Sequence, residues 1–191
     1  MADKAHFRQA MKERLARMSE NDRRVESQII VRELKKIIED TRPRSIGVYI
    51  PFRDEPNIRP LIEWLLEEKK EVSMPHVEGS TMTFVHVRSL LDQTTGPLGT
   101  PAPKEAEMVD ECAIDLVLVP GRAFTPRGER MGRGNGGYDR WLSEQRKRNE
   151  KTRTLGICFD CQLVQEMPVE KHDEKVDAVL TATRKYVVRS T

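Results

Sequence analysis

Asp115-Leu116-Val117-Leu118-Val119-Pro120-Gly121 is the most clearly apolar strand in the sequence, opened by an acid and closed by a turn. A strand without polar alternation is covered on both faces, so it belongs at the centre of a sheet. Four more segments read as strands around it: 45–51, 71–75, 153–159 and a short last one at 178–181. Residues 81–87 alternate apolar and polar side chains, as a strand with one exposed face does. Between the strands lie helical patterns. Phe7, Met11, Leu15 and Met18 share one helical face, and Ser19-Glu20-Asn21-Asp22 stops that helix and caps a second one, which runs to about residue 40 before Thr41-Arg42-Pro43 breaks it. Leu61, Ile62, Leu65 and Leu66 give an apolar face to a helix over 58–69, and residues 138–148 form another. Residues 94–103, rich in Gly, Pro and Thr, read as a loop. Strands alternating with helices predict an α/β fold: a mainly parallel central sheet with helices on both faces, and an N-terminal helical pair. No repeat, low-complexity tract or composition shift divides the chain, so residues 1–191 are expected to form a single domain.

Composition narrows the function. Aromatics are only 5% of the 191 residues, so the core must be built from Leu, Ile and Val. Lys and Arg number 33 against 31 Asp and Glu, which leaves no overall field for a nucleic-acid partner. The mean hydropathy is −0.63, and no segment approaches the roughly 20 apolar residues that cross a bilayer, so no membrane partner is expected. The opening residues lack the apolar stretch of a secretory signal, and a cytoplasmic, monomeric protein acting on small molecules is expected. Cys112, Cys158 and Cys161 are an odd, sparse set that suits a reducing compartment. Cys158-Phe159-Asp160-Cys161 has C-x-x-C spacing, but no second ligand pair accompanies it, and Leu155-Gly156-Ile157-Cys158-Phe159 reads as a buried strand with cysteine as a small hydrophobe.

The chemistry lies in the loop that leaves the central strand. Residues 122–140 hold five arginines against Glu129 and Asp139, a local balance of +3. Ligands of open α/β sheets bind at the carboxyl ends of strands, where this loop begins. Gly132, Gly134, Gly136 and Gly137 clear side chains from the backbone amides, and the following helix presents its N-terminus to negative charge. No Gly-Lys-Ser/Thr follows, so the loop is not a Walker A motif. Arginines interleaved with glycines point to a phosphate site.

Pro120-Gly121-Arg122-Ala123-Phe124 and Gly128-Glu129-Arg130-Met131-Gly132-Arg133-Gly134-Asn135-Gly136-Gly137-Tyr138-Asp139-Arg140 resemble the signature of the 5-formyltetrahydrofolate cyclo-ligases, also called 5,10-methenyltetrahydrofolate synthetases. The likeness extends to Lys4 and Arg8, the turn at 51–55, Met74-Pro75, the segment at 99–103, and Pro168-Val169-Glu170-Lys171-His172-Asp173. It implies a ligase that forms a carbon–nitrogen bond, with magnesium as cofactor and ATP as co-substrate: ATP phosphorylates the formyl oxygen of 5-formyltetrahydrofolate, nitrogen 10 attacks the activated carbon, and phosphate leaves to give 5,10-methenyltetrahydrofolate.

The same resemblance assigns residues. Arg130 and Arg133 match the loop cations that clamp the transferring phosphate, with the backbone from Met131 through Gly132, Gly134, Asn135, Gly136 and Gly137 to Tyr138 cradling the nucleotide. Lys4 and Arg8 match N-terminal ATP contacts, and their spacing of four places them on one helical face. Asp139 at the end of the loop and Asp173 in the distal segment are the expected metal ligands, two oxygen donors from separated segments of the kind that suits magnesium. Glu55 matches a glutamate near the pterin or formyl group, and Tyr138 a folate contact, while His172 is read as structural. The chain departs from the pattern at Thr125, where Asp is usual, at Gly137, where a first Tyr is usual, and at Leu98, where an aromatic commonly lines the folate pocket. The missing rings predict a less tightly held folate. Two rivals remain: a catalytically lapsed family member that binds nucleotide or folate, and a sugar-phosphate enzyme on a similar sheet.

Overall fold

The computed structural model describes residues 3–90, 93–95, 101–103 and 107–188. In chain order the elements are α1 (Lys4–Ala16), α2 (Glu20–Thr41), β1 (Ser45–Gly47), α3 (Arg59–Glu67), β2 (Glu71–Glu78), β3 (Thr81–His86), β4 (Gln93–Thr95), β5 (Pro101–Pro103), β6 (Leu116–Pro120), β7 (Ala123–Phe124), β8 (Arg130–Met131), α4 (Gly137–Arg148), β9 (Arg153–Ile157), β10 (Ala178–Leu180) and β11 (Lys185–Val187). Seven strands form one sheet in the order β11-β10-β9-β6-β1-β2-β3. The predicted central strand, β6, lies in the middle, parallel to β1 on one side and β9 on the other. Only the two edges are antiparallel, β2 with β3 and β10 with β11.

The pleat of β6 explains why its sequence is apolar throughout. Leu116 and Leu118 face a core shared with Ile30, Leu34 and Ile38 of α2 and Leu61, Ile62 and Leu65 of α3. Val117 and Val119 face the opposite core, with Phe84, Trp141 and Leu142, the last two from α4. Each such side chain, taken fully out of water, contributes about 1.5–3 kcal/mol. Helices therefore cover both faces, as the alternation of elements predicts. A third, smaller core joins Met11 of α1 to Ala123 and Met131 of the β7–β8 hairpin, with Phe7 packed against it.

The helix boundaries follow local chemistry. The Ser19 side chain accepts from the Asp22 amide at 3.0 Å and caps α2 as its sequence predicts. At the far end Arg42 adopts a left-handed conformation, with φ 51°, and closes the helix just before Pro43. In three places the structure adds strands that the sequence reading lacks. The 94–103 segment holds a two-stranded ladder of β4 with β5, of which 96–100 lie outside the described residues. The glycine-rich loop contains the β7–β8 hairpin, closed by backbone bonds such as Thr125 N to Glu129 O at 3.0 Å. A further edge strand, β11, follows β10. All three are two- or three-residue strands, too short for alternation to register. The 45–51 strand is in fact a ladder only to Gly47, after which the buried chain turns into the loop where the Tyr49 hydroxyl donates to Pro56 O at 3.0 Å. Among the described residues no helix is long and apolar enough to cross a membrane.

Candidate active site

The β6, β1 and β2 strands end beside the glycine-rich loop, and a cavity of about 380 Å³ opens there. Of the residues singled out in the sequence, Glu55, Arg130, Gly132, Arg133, Asn135, Gly136, Gly137, Tyr138 and Asp139 all line it, although Glu55 is about eighty residues from the rest. Lys4, Arg8, Met131, Gly134 and Asp173 do not line it; Met131 and Gly134 belong to the loop, and Arg8 approaches it from outside. The Arg8 Nε donates to Gly132 O at 3.0 Å, the Arg8 guanidinium lies against Gly134, and the Met131 side chain is buried on α1. Lys4 reaches elsewhere: its Nζ contacts Asp173 Oδ2 at 2.6 Å and Glu170 Oε2 at 2.7 Å. The presumed phosphate contact and the presumed metal ligand thus neutralise each other. Burial alone would raise the Asp173 carboxyl, but the hydrogen bonds from Lys4 and the Glu170 amide outweigh it and hold the group below the usual carboxylate range.

The two loop arginines have different environments. The Arg130 side chain is 3% exposed and donates to Asp139 Oδ2 at 2.9 Å and to Pro120 O at 3.4 Å, while its Nε is buried without a partner. Such a guanidinium acts as a strut that fixes Asp139 at the start of α4. Arg133 is more exposed. Its Nη2 meets Asp54 Oδ1 and, at 2.9 Å, Glu55 Oε1, and its guanidinium lies 4.4 Å from the centre of the Phe52 ring. Asp54 also accepts from Arg122, so one carboxylate bridges two arginines and is held below its ordinary range despite its partial burial. Glu55 is pushed the other way. Burial raises it, and the opposing pull of Arg133 and of the Phe52 amide, which donates to Oε2 at 3.0 Å, does not cancel the effect.

Backbone geometry separates the glycines. Gly136 caps α4 at φ 65°, where any side chain is strained, and a Cβ on Gly132 would come within 2.8 Å of Arg130 Nη1. Gly137 is different: a Cβ there meets Met82 Sδ at 3.6 Å and Asn135 Oδ1 at 3.8 Å, ordinary contacts at an unstrained φ. Nothing in the backbone requires the missing tyrosine to be missing. Thr125 lies away from the cavity: its buried hydroxyl donates to Glu129 Oε2 at 2.8 Å and braces the β7–β8 turn, so this departure leaves the cavity wall unchanged. Leu98 is outside the described residues. His172 is exposed, with Nε2 3.3 Å from Glu170 Oε2. Cys158 is buried and Cys161 partly so, both free thiols raised by burial, which is how an unreactive cysteine behaves.

Tyr138 completes the cavity. Its hydroxyl is buried without a hydrogen-bond partner among the described residues, pushed well above the ordinary phenol range by burial and by the Glu55 charge, and the Arg130 guanidinium lies 5.4 Å from the centre of its ring. A buried, unsatisfied donor in a cavity wall is a place for a ligand acceptor. The residues that the sequence reading passes over are Asp54, Arg122, Phe52 and Met82. Asp54 carried a signal, since an acid pair directly after a buried strand, at a sheet's carboxyl edge, is unusual for a surface turn.

The comparisons with known proteins meet the same architecture. The sequence profile of the 5-formyltetrahydrofolate cyclo-ligase family matches residues 1–182. The 5-formyltetrahydrofolate cyclo-ligase of Mus musculus is 26% identical over 187 residues, 93% of this chain and 92% of that protein. The enzyme of the same name from Escherichia coli K12 is 31% identical over 145 residues, covering 73% of this chain and 79% of its own length. Among solved structures, 5,10-methenyltetrahydrofolate synthetase of Aquifex aeolicus superposes with a TM-score of 0.83 at 30% identity, over 98% of this chain and 94% of that one. With the profile spanning both the glycine-rich loop and the distant helix that braces it, the chain belongs to the 5-formyltetrahydrofolate cyclo-ligase family.

Proposed function

We propose that this chain closes the ring of 5-formyltetrahydrofolate to 5,10-methenyltetrahydrofolate, with ATP as co-substrate. The observation that carries this reading is the convergence of Glu55, Arg133 and the unpartnered Tyr138 hydroxyl on the one cavity floored by the glycine-rich loop. The formyl oxygen attacks the γ-phosphorus and ADP leaves; nitrogen 10 then attacks the formyl carbon, and the carbon–oxygen bond to phosphate breaks as the nitrogen proton is lost to solvent. An amide oxygen is a weak nucleophile, so the protein's work is positioning and charge stabilisation.

Arg133 supplies that stabilisation. It sits on the cavity side of the loop and is held in its fork by Asp54 and Glu55, which orient it before the phosphate arrives. Arg130 acts through Asp139. Glu55 offers a buried acceptor to the N–H groups of the pterin, and the Tyr138 ring gives it a face to stack on. The magnesium ion fits this donor set: Asp139 Oδ1 receives only a long 3.4 Å contact from the Glu174 amide and keeps lone pairs for a hard cation, and Asp173 would join it from the opposite segment. When bound, magnesium screens the phosphate oxygens. Lys4, whose Nζ contacts Asp173 at 2.6 Å, would supply a cation beside that donor set for the phosphates.

The test mixes the protein with Mg-ATP and 5-formyltetrahydrofolate and follows the methenyl absorbance together with ADP. Product and ADP in equal amounts support the reading. ATP or folate binding with neither product would mark a lapsed enzyme, and hydrolysis indifferent to folate would overturn the substrate assignment.

A further inference from the structure

A second cavity, of about 510 Å³, shares Phe52 and Glu55 with the active-site cavity, so these two side chains form a common wall. It is enclosed by α2 and by residues 51–60, and four arginines line it: Arg23, Arg24, Arg53 and Arg59. Arginines on a solvated helix face are ordinarily matched by acids one turn away. Glu20 and Glu26 stand at that spacing, but Glu20 pairs with Arg53 and Glu26 accepts from the Asp160 amide. Among the described residues Arg23 donates only to the backbone carbonyls of Leu15 and Arg53, its guanidinium lying 5.9 Å from the centre of the Phe159 ring, and Arg24 only to the amide oxygen of Asn21. The Arg59 guanidinium has no hydrogen-bond or ion-pair partner among the described residues. Only Arg53 has an acid, Glu20, in a pair 92% and 85% exposed that water and salt weaken. The single carboxylate in the lining, Glu55, is already committed to Arg133 and the Phe52 amide.

Four like charges around one concavity repel one another, and an anion placed among them removes that repulsion. Ser27, Gln28 and Asn57 add neutral hydrogen-bonding groups to the same lining, and Phe52 and Phe159 give it an apolar floor. Arginine is also the residue whose planar fork best matches carboxylate and phosphate oxygens. We propose that this cavity is a second anion-binding site, taking a small molecule with two or more carboxylate or phosphate groups. The anion comes either from a separate molecule or from the glutamate carboxylates of the folate in the neighbouring cavity, reaching past Phe52; the second source rests on the proposed function, whereas the site itself does not.

Calorimetric titration of the full chain with inorganic pyrophosphate tests the site directly. Two pyrophosphates per chain are expected, one at the glycine-rich loop and one here. Arg24→Ala with Arg59→Ala should weaken one of them at least tenfold, and Arg133→Ala should leave that one unchanged. If the double variant fails to fold, Arg24→Ala alone, at an exposed helix position, must show the same direction. A single pyrophosphate per chain, or two that ignore these substitutions, overturns the proposal whatever the enzyme's activity. The source is read from turnover: a folate KM raised at least fivefold at constant kcat assigns the anion to the substrate, and an unchanged KM beside a lost pyrophosphate site assigns it to a separate molecule.

Discussion

The two walls of the active-site cavity are built by opposite means. The wall formed by residues 130–138 is made of backbone: small residues, a two-residue hairpin and a left-handed cap set its course, and α1 braces it from behind through Met11 and Arg8. The wall formed by residues 49–55 is made of side chains, with Asp54 and Glu55 tied to Arg133 of the other wall and Asp54 also to Arg122. A backbone wall holds its shape whether or not a ligand is present, because its donors are fixed by φ and ψ. A side-chain wall must exchange partners, because the arginine that would meet a phosphate is already paired. The first wall suits a ligand that is always the same, the phosphate chain, and the second a step in which charge appears and disappears.

The sharpest way to break this contrast is to remove the cation that crosses between the walls. Arg133→Ala should lower turnover by at least about 100-fold, roughly 2.7 kcal/mol, without unfolding the protein. Near-normal turnover would show that Arg133 merely neutralises Asp54 and Glu55.

Asp173→Asn comes next. It removes a hard anionic oxygen while keeping size, so the magnesium concentration for half-maximal rate should rise by about tenfold. The same substitution breaks the contact to Lys4, whose ammonium is raised above 10.5 because its hydrogen bonds to Asp173 and Glu170 outweigh the lowering by burial. A depressed carboxylate stabilises the fold above its unfolded value of 3.8 and loses that contribution as pH falls below it. A raised ammonium stabilises below 10.5 and loses its contribution as pH climbs past it. The pair is therefore complete between these limits, and thermal unfolding of the wild-type chain should lose stability at both ends relative to Asp173→Asn. A magnesium titration that does not move would return Asp173 to a purely structural place.

Within the backbone wall, neighbouring glycines should behave unlike each other. Gly136→Ala forces a side chain into a left-handed conformation and should cost about 1–2 kcal/mol in unfolding experiments, whereas Gly137→Ala should change stability by less than about 0.5 kcal/mol. Equal losses would show that the cap does not govern this wall. The smallest effect expected is a gain: Gly137→Tyr places its Cβ in ordinary contact with Met82 Sδ, at 3.6 Å, and supplies a ring worth about 0.5–1.5 kcal/mol. A folate KM lowered a few-fold at constant ATP KM sharpens the division between walls, and a raised ATP KM alone would place Gly137 with the phosphate.

The backbone wall was largely legible before any coordinates, since four glycines among arginines after a buried strand are conspicuous and local in sequence. The sheet was legible for a related reason: β6 is apolar on both faces because two different cores meet it, and that pattern is written in consecutive residues. The side-chain wall was not. Asp54 is an ordinary turn acid until the fold brings Arg122 and Arg133 to it from some seventy residues away. The Lys4 contact to Asp173 was hidden likewise, because each residue was read for a ligand and neither for the other. The short strands β4, β5, β7, β8 and β11 were missed because their pairing, set by the turns between them, leaves no period.

That contact also orders events in time. Lys4 and Asp173 are 169 residues apart, so a ribosome adding roughly 5–20 residues per second has the first helix out on the order of ten seconds before its partner exists. During that interval α1 carries an apolar face, Met11 and Leu15, with nowhere to lie until the hairpin near residue 130 follows it out. A half-made chain of 120 residues therefore holds β1, β2, β3 and β6, one side of the sheet, but cannot close its first helix over the distal segment. The contact that ties α1 to the distal segment waits until residue 173 has emerged.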